Sequence, residues 1–213
     1  MPEVGIVHDF LDDSEIDYVK NISKGELFTT PYNVDGKQKF ASNLRMSKIK
    51  YINEMRDQTA RKISDRIEYL TKFTLRKTFF DSENYQVMNY GIGGRISPHT
   101  DSTDENLETT TESVRFGGPR IMTFMVYLSN IYSGGNTVFP NLGLAVEPIK
   151  GSALFWFNFS ANMKFGETVK HMGCPIIYGN KWIVNKWIKF LAQFQHYKCA
   201  SDADFSIFDQ HEK

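Results

Sequence analysis

The spacing of apolar residues changes character near Thr74, and that change limits what the chain can fold into. Upstream, Ile52, Met55, Thr59, Ile63, Ile67 and Leu70 recur every three or four positions, the period of an amphipathic helix. An earlier helix is marked by Asp12 as its cap, Glu15 reaching back from the third position, and Leu11 and Ile16 placed as a hydrophobic staple. Downstream, short runs of Phe, Tyr, Val, Ile and Trp are broken by Gly, Asn and Pro, the signature of strands and turns. Strands are expected near 74–79, 84–90, 95–101, 121–128, 136–139, 144–148, 152–157, 168–171, 176–178 and 181–190. Turns at Gly91-Ile92-Gly93-Gly94, Ser133-Gly134-Gly135 and Tyr178-Gly179-Asn180 separate them.

So many short strands behind two helices predict a mainly β fold with flanking α-helices, a double-stranded β-helix or jelly roll. Helices are expected at about 12–24 and 51–72, the jelly roll from about 74–190, and a tail over 191–213. At 213 residues with no Pro/Gly/Ser-rich linker, one catalytic domain over 1–213 is the expectation. The stretch Ser102–Pro119 interrupts the pattern. It is rich in Thr, Asp, Glu and Asn, and its length and its place after Asp101 suggest a lid.

Lys+Arg and Asp+Glu number 25 each and form no polybasic block, which argues against a nucleic-acid-binding surface. No run approaches the eighteen or more apolar residues of a membrane span, and Met1-Pro2-Glu3 opens no signal-peptide pattern, so a soluble chain is expected. Cys174 and Cys199 are too few to define a disulfide scaffold, and by count they read as two buried thiols in a reducing compartment. The triplets Asn21-Ile22-Ser23 and Asn158-Phe159-Ser160 fit a glycosylation pattern, the second in an apolar stretch that would hide it.

Four side chains carry the chemistry: His99 and Asp101 in Pro98-His99-Thr100-Asp101, His171 about seventy residues later, and Lys181 beyond it. On a strand, positions i and i+2 share a face, so His99 and Asp101 can bind one ion while Thr100 points away. Two imidazoles and a carboxylate on one side of a metal are the facial arrangement of non-haem Fe(II) oxygenases. After the turn at Tyr178-Gly179-Asn180, Lys181 should open a strand returning beside the one that descends from His171. A buried ammonium needs an anion, and no carboxylate in the sequence is an obvious partner. 2-Oxoglutarate would supply one, its 2-oxo acid end chelating Fe(II) and its far carboxylate meeting the lysine. The two tryptophans of Gly179-Asn180-Lys181-Trp182-Ile183-Val184-Asn185-Lys186-Trp187-Ile188 should form an apolar wall. A zinc hydrolase could use the same three ligands, but no general base accompanies them and Lys181 would be idle.

Taken together, these motifs resemble the catalytic domain of the collagen prolyl 4-hydroxylase alpha subunit over nearly the whole chain. The likeness is carried by His8-Asp9-Phe10, Arg45-Met46-Ser47-Lys48, Gln86-Val87-Met88-Asn89-Tyr90-Gly91-Ile92-Gly93-Gly94, Pro98-His99-Thr100-Asp101 and Gly134-Gly135-Asn136-Thr137-Val138-Phe139-Pro140. It continues in Pro148-Ile149-Lys150-Gly151-Ser152-Ala153-Leu154-Phe155-Trp156, His171-Met172-Gly173-Cys174-Pro175, Gly179-Asn180-Lys181-Trp182 and Asn185-Lys186-Trp187.

The resemblance implies His99, Asp101 and His171 as iron ligands, Lys181 on the distal carboxylate of 2-oxoglutarate, and Tyr90, Thr137 and Trp187 around the cosubstrate. It implies hydroxylation of peptidyl proline at C4, coupled to decarboxylation of 2-oxoglutarate to succinate, with ascorbate restoring oxidised iron. A collagen-like or other proline-rich peptide would be the substrate, presented as an extended polyproline II segment. The same likeness implies a Cys174–Cys199 disulfide, a location in the endoplasmic reticulum lumen, protein disulfide isomerase as partner, and a longer parent protein. Ile96 and Thr100 stand where the family usually has aromatics, and Met172 where it has Ala, which leaves the ligands intact and reshapes the substrate cleft. Other proline-rich proteins, a small-molecule substrate, or a catalytically silent assembly subunit are the competing readings.

Overall fold

The computed structural model describes residues 4–29, 32–34, 37–39, 47–75, 80–102, 117–159 and 167–193. Residues 76–79, most of the expected lid (103–116), Arg45, Met46, Ser160, Cys199 and the tail beyond 193 lie outside them. In chain order the elements are β1 (Val4–Val7), α1 (Asp13–Ser23), β2 (Phe28–Thr29), β3 (Tyr32–Val34), β4 (Lys37–Lys39), β5 (Lys48–Ile52) and α2 (Gln58–Thr71). There follow β6 (Tyr85–Tyr90), β7 (Ile96–His99), β8 (Arg120–Tyr127), β9 (Ser133–Gly134), β10 (Thr137–Phe139), β11 (Leu144–Val146), β12 (Ala153–Phe157), β13 (His171–Gly173), β14 (Ile176–Tyr178) and β15 (Lys181–Lys189).

The first helix is as expected. Asp12 Oδ1 accepts from the Glu15 amide at 2.9 Å, Glu15 returns the bond to the Asp12 amide at 3.2 Å, and Leu11 and Ile16 are both buried. The second helix is shorter than its periodicity suggested. Ile52 ends a strand paired with β6, and Asp57 caps the helix through the Ala60 amide at 2.7 Å, so α2 starts at Gln58. Of the expected helical stripe, Ile63 and Ile67 are buried, while Met55 lies exposed in the preceding turn. Thr74 and Leu75 are not in a strand, because the Gln193 side chain satisfies both the N–H and the carbonyl of Thr74.

The strands form an antiparallel seven-stranded sheet, β1-β12-β8-β15-β6-β5-β2, and a four-stranded sheet, β11-β10-β13-β7, with β14-β9 and β3-β4 as two-stranded additions. This is the jelly roll that the sequence predicts, except that β1, β2 and β5 join its large sheet from upstream of Thr74, where only helices were expected. Its large sheet has two buried faces, as the even and odd positions of β15 show: Val184 and Ile188 pack with Ile16, Ile63 and Ile67 on the helix side. Ile183 turns the other way and packs with Met88, Tyr127 and Phe139 inside the roll. Trp182 and Trp187 therefore do not share a wall, since Trp182 packs on the helix-side core and Trp187 faces the interior.

Candidate metal and cosubstrate site

A cavity of about 290 Å³ opens inside the roll, and β15 lays Lys181, Ile183, Asn185 and Trp187 along one side of it. Opposite stands the four-stranded sheet, where His99 and His171 are register partners on β7 and β13. Antiparallel pairing thus brings together two imidazoles that lie far apart in sequence, with ring centroids 4.4 Å apart. His171 was expected at the end of a strand over 168–171. It opens β13 instead, after a 3-10 turn over Glu167–Val169.

Asp101 lies past the end of β7, in a bend, so strand alternation does not hold it beside His99. Its anchor is Thr123 on β8, whose hydroxyl donates to Oδ2 at 2.7 Å, while Arg120 donates to its backbone carbonyl at 3.1 Å. Asp101 Oδ1 is 3.7 Å from His99 Nε2, Oδ2 is 3.8 Å from His171 Nε2, and one donor atom from each of the three residues falls within 4.8 Å of the others. His99 Nδ1 lies 2.9 Å from the Ser97 carbonyl and His171 Nδ1 lies 3.0 Å from the Val169 carbonyl. A carbonyl only accepts, so each Nδ1 carries a proton and each Nε2 faces the carboxylate, where loss of its proton presents a lone pair to a metal. Burial works to raise the Asp101 pKa, yet the charge that His171 and His99 carry when protonated, the Arg120 guanidinium and the Thr123 hydroxyl outweigh it and hold the group below its ordinary value. Two imidazoles whose Nε2 atoms converge with one carboxylate are a donor set that suits Fe(II).

Lys181 occupies the other end of the cavity and is 4% exposed. Contrary to expectation, its strand does not run beside that of His171: β15 pairs with β6 and β8, so Lys181 and His171 stand on opposing sheets. Its ammonium donates to the Gly135 carbonyl at 2.6 Å and to Thr137 Oγ1 at 3.4 Å, and no carboxylate pairs with it among the described residues. Desolvation lowers its pKa to about 8. The Gly135 carbonyl is brought within reach by a turn that needs glycine, since a Cβ on Gly134 would lie 2.2 Å from the Pro175 carbonyl oxygen. Tyr90, register partner of Lys181, is buried and lines the cavity, as do Thr137 and Trp187. Cys174 also lines it and is a free thiol. Of the expected Cys174–Cys199 bridge, Cys199 lies outside the described residues.

Several residues of the site were given no role by the sequence. Tyr127 donates to Thr137 Oγ1 at 2.9 Å and has its ring 5.4 Å from the Lys181 ammonium, and burial raises its pKa. Arg120 is gripped by both oxygens of Glu83 at 2.6 and 2.7 Å and lies 3.8 Å over the Trp187 ring. Trp156 packs 4.5 Å from His171 and, like Trp187, leaves its indole nitrogen without a partner in the cavity wall. The available sequence signal was alternation along β8, where Thr123 and Tyr127 are polar groups inside a run of apolar residues.

Residues 85–189 match the 2OG-Fe(II) oxygenase superfamily. The chain carries a 2OG-Fe(II) oxygenase domain. The oxygenase domain is thereby assigned Fe(II) and 2-oxoglutarate as its cofactors and dioxygenase as its enzyme class. The chain is 34% identical to prolyl 4-hydroxylase subunit alpha-1 of Rattus norvegicus over 188 residues, covering 88% of this chain and 34% of the relative. It is 32% identical to prolyl 4-hydroxylase subunit alpha-3 of Homo sapiens over 206 residues, covering 95% of this chain and 36% of the relative. The chain thus spans about a third of the length of these relatives. In fold it is similar to the viral collagen prolyl hydroxylase of Paramecium Bursaria Chlorella virus-1 in its 2OG complex. That match has a TM-score of 0.67 at 24% identity and covers 87% of this chain and 95% of that one. Among the described residues no helix is long and apolar enough to cross a membrane.

Proposed function

We propose that the chain is a peptidyl prolyl 4-hydroxylase, a single catalytic domain that converts proline in a collagen-like or other proline-rich peptide to 4-hydroxyproline. The observation that carries this reading is the pairing, in one cavity, of a His99/Asp101/His171 donor set with a buried ammonium that, among the described residues, has only neutral oxygen partners. Its relatives' names supply the substrate class. Bound at His99, Asp101 and His171, Fe(II) supplies the redox chemistry that couples decarboxylation of 2-oxoglutarate to C–H hydroxylation. Lys181, helped by the Thr137 hydroxyl and by Tyr90, holds the far carboxylate of 2-oxoglutarate and so aims its 2-oxo acid end at the metal ligands. The Ser97 and Val169 carbonyls fix the two histidine tautomers, and Thr123 with Arg120 fixes Asp101. Trp187 and Trp156 wall the cavity and keep water from it.

The motif likeness further supports residence in the endoplasmic reticulum lumen, assembly with protein disulfide isomerase, ascorbate as reductant, and a Cys174–Cys199 bridge in the oxidised protein. Mass spectrometry of a proline-rich peptide panel, after incubation with Fe(II), 2-oxoglutarate and ascorbate, tests the central claim. A gain of one oxygen on proline, dependent on 2-oxoglutarate, is expected. Succinate formation with a non-peptide acceptor, and with no panel peptide modified, would move the substrate to a small molecule.

A further inference from the structure

Lys186 is a buried lysine that the cavity does not use. It sits on β15 between Asn185 and Trp187, but its side chain points to the opposite face and is 1% exposed. Its ammonium donates to Glu54 Oε1 at 2.5 Å and to the backbone carbonyl of Glu83 at 2.6 Å, and lies 4.6 Å from the Tyr85 ring. Glu54 also accepts from the hydroxyls of Ser64 on α2 and of Ser82. A buried ion pair is expensive, and replacing it with apolar side chains of similar volume is often neutral or stabilising. Its retention calls for a use.

The use is visible one residue further on. The Glu83 whose carbonyl Lys186 holds also donates its amide to the Trp187 carbonyl at 2.9 Å, and its carboxylate passes to the cavity side, where it grips Arg120 and meets Lys189 at 2.9 Å. Burial works to raise the Glu83 pKa, but Arg120 and Lys189 overcome it, so the carboxylate stays charged. Arg120 then reaches the Asp101 carbonyl and stacks on Trp187. We propose that Lys186 is a positioning residue of the metal site: paired with Glu54, it fixes the Glu83 main chain, Glu83 fixes Arg120, and Arg120 fixes Asp101. The pair stands behind the cavity wall, and neither Lys186 nor Glu54 lines the cavity. It rests on the reading of His99, Asp101 and His171 as metal ligands.

Cobalt(II) titration, followed by its visible absorption and alongside melting temperature, separates positioning from mere support. Cobalt binding by the wild-type protein decides the site reading; the variants decide this inference. Lys186→Met should weaken cobalt binding by about tenfold, the range of outer-shell substitutions, and alter the visible band. The double variant Lys186→Met/Glu54→Leu leaves no unpaired charge, so it should melt near the wild type while keeping the weakened binding. In an Arg120→Gln background, Lys186→Met should have no further effect on cobalt affinity, because the relay is already cut. If the methionine variants do not fold, Lys186→Arg keeps the ion pair while changing the contact at the Glu83 carbonyl, and it should still shift affinity and band. The inference is overturned by a folded variant with wild-type affinity and band, or by a Lys186 effect undiminished beside Arg120→Gln.

Discussion

The two ends of the cavity solve opposite electrostatic problems. At the histidine end, the Asp101 carboxylate is surrounded by groups that stabilise it, and each imidazole is locked by a main-chain carbonyl. At the lysine end, a single ammonium is buried against a carbonyl, a hydroxyl and an aromatic ring, with its pKa driven down to about 8. One end is set before anything binds, with its three donor groups already converged. The other holds a charge that no carboxylate balances among the described residues, and a ligand's anion would supply what is missing. A dicarboxylate bridging the two ends satisfies both. The contrast also says where each substitution should act: at the histidine end on metal and turnover together, at the lysine end on cosubstrate affinity alone.

The largest effect is expected where three ligands leave no redundancy. His171→Ala or Asp101→Ala should abolish 2-oxoglutarate decarboxylation and strip the bound iron, measured by metal content and succinate release. A His171→Ala protein that retains iron and couples normally would break the distinction between the two ends.

Next in size is the lysine end. Lys181→Ala should raise the 2-oxoglutarate requirement by roughly a hundredfold or more, since the distal carboxylate would be buried without a countercharge, while iron content stays unchanged. Lys181→Arg should recover part of the loss, because a planar guanidinium does not fit the place of a compact ammonium between Gly135 and Thr137. An unchanged titration midpoint in Lys181→Ala would transfer the anchoring role to another cation.

How much of this was legible beforehand depended on whether a residue's partner was local. The cap at Asp12 and the turn before Lys181 are written in neighbouring residues, and the short strands downstream of Thr74 gave the jelly roll, but β1, β2 and β5, which join its large sheet from upstream, carried no such local signal. The ligand set was legible from residue chemistry, but the way it is assembled was not. Asp101 was expected to share a strand face with His99, whereas it is held from the next strand of the other sheet by Thr123, which no spacing rule connects to it. Lys181 was placed beside the strand of His171, whereas sheet order puts the two across the cavity. The start of α2 was missed because Ile52 and Met55 fit a helical stripe by spacing, and only pairing with β6 shows Ile52 to be a strand residue. Long-range pairing decides such cases, and a single sequence does not print it.

The smallest effect, and the one that most sharpens the contrast, is the pH dependence of the lysine end. Lys181 has a folded pKa of about 8 against an ordinary 10.5, so over that interval the unfolded chain binds more protons than the folded one. Stability rises with pH wherever the unfolded state holds more protons, so the cosubstrate-free protein should gain stability from pH 8 towards 10.5, by at most about 3 kcal/mol from this group. Cosubstrate affinity should move the other way. Binding a carboxylate requires the ammonium, so affinity should be flat below about pH 8 and fall by up to about tenfold per pH unit above it, until the raised pKa of the complex is reached. Bound 2-oxoglutarate restores the lysine's charge, so the stability gain should disappear at saturating cosubstrate. Melting temperature across pH 7 to 10, with and without 2-oxoglutarate, measures all of this, and Lys181→Met serves as the control that should lack the Lys181 contribution. A Lys181→Met profile superimposable on the wild type would show that the ammonium is already balanced in the free protein, and the two ends of the cavity would then differ in shape alone.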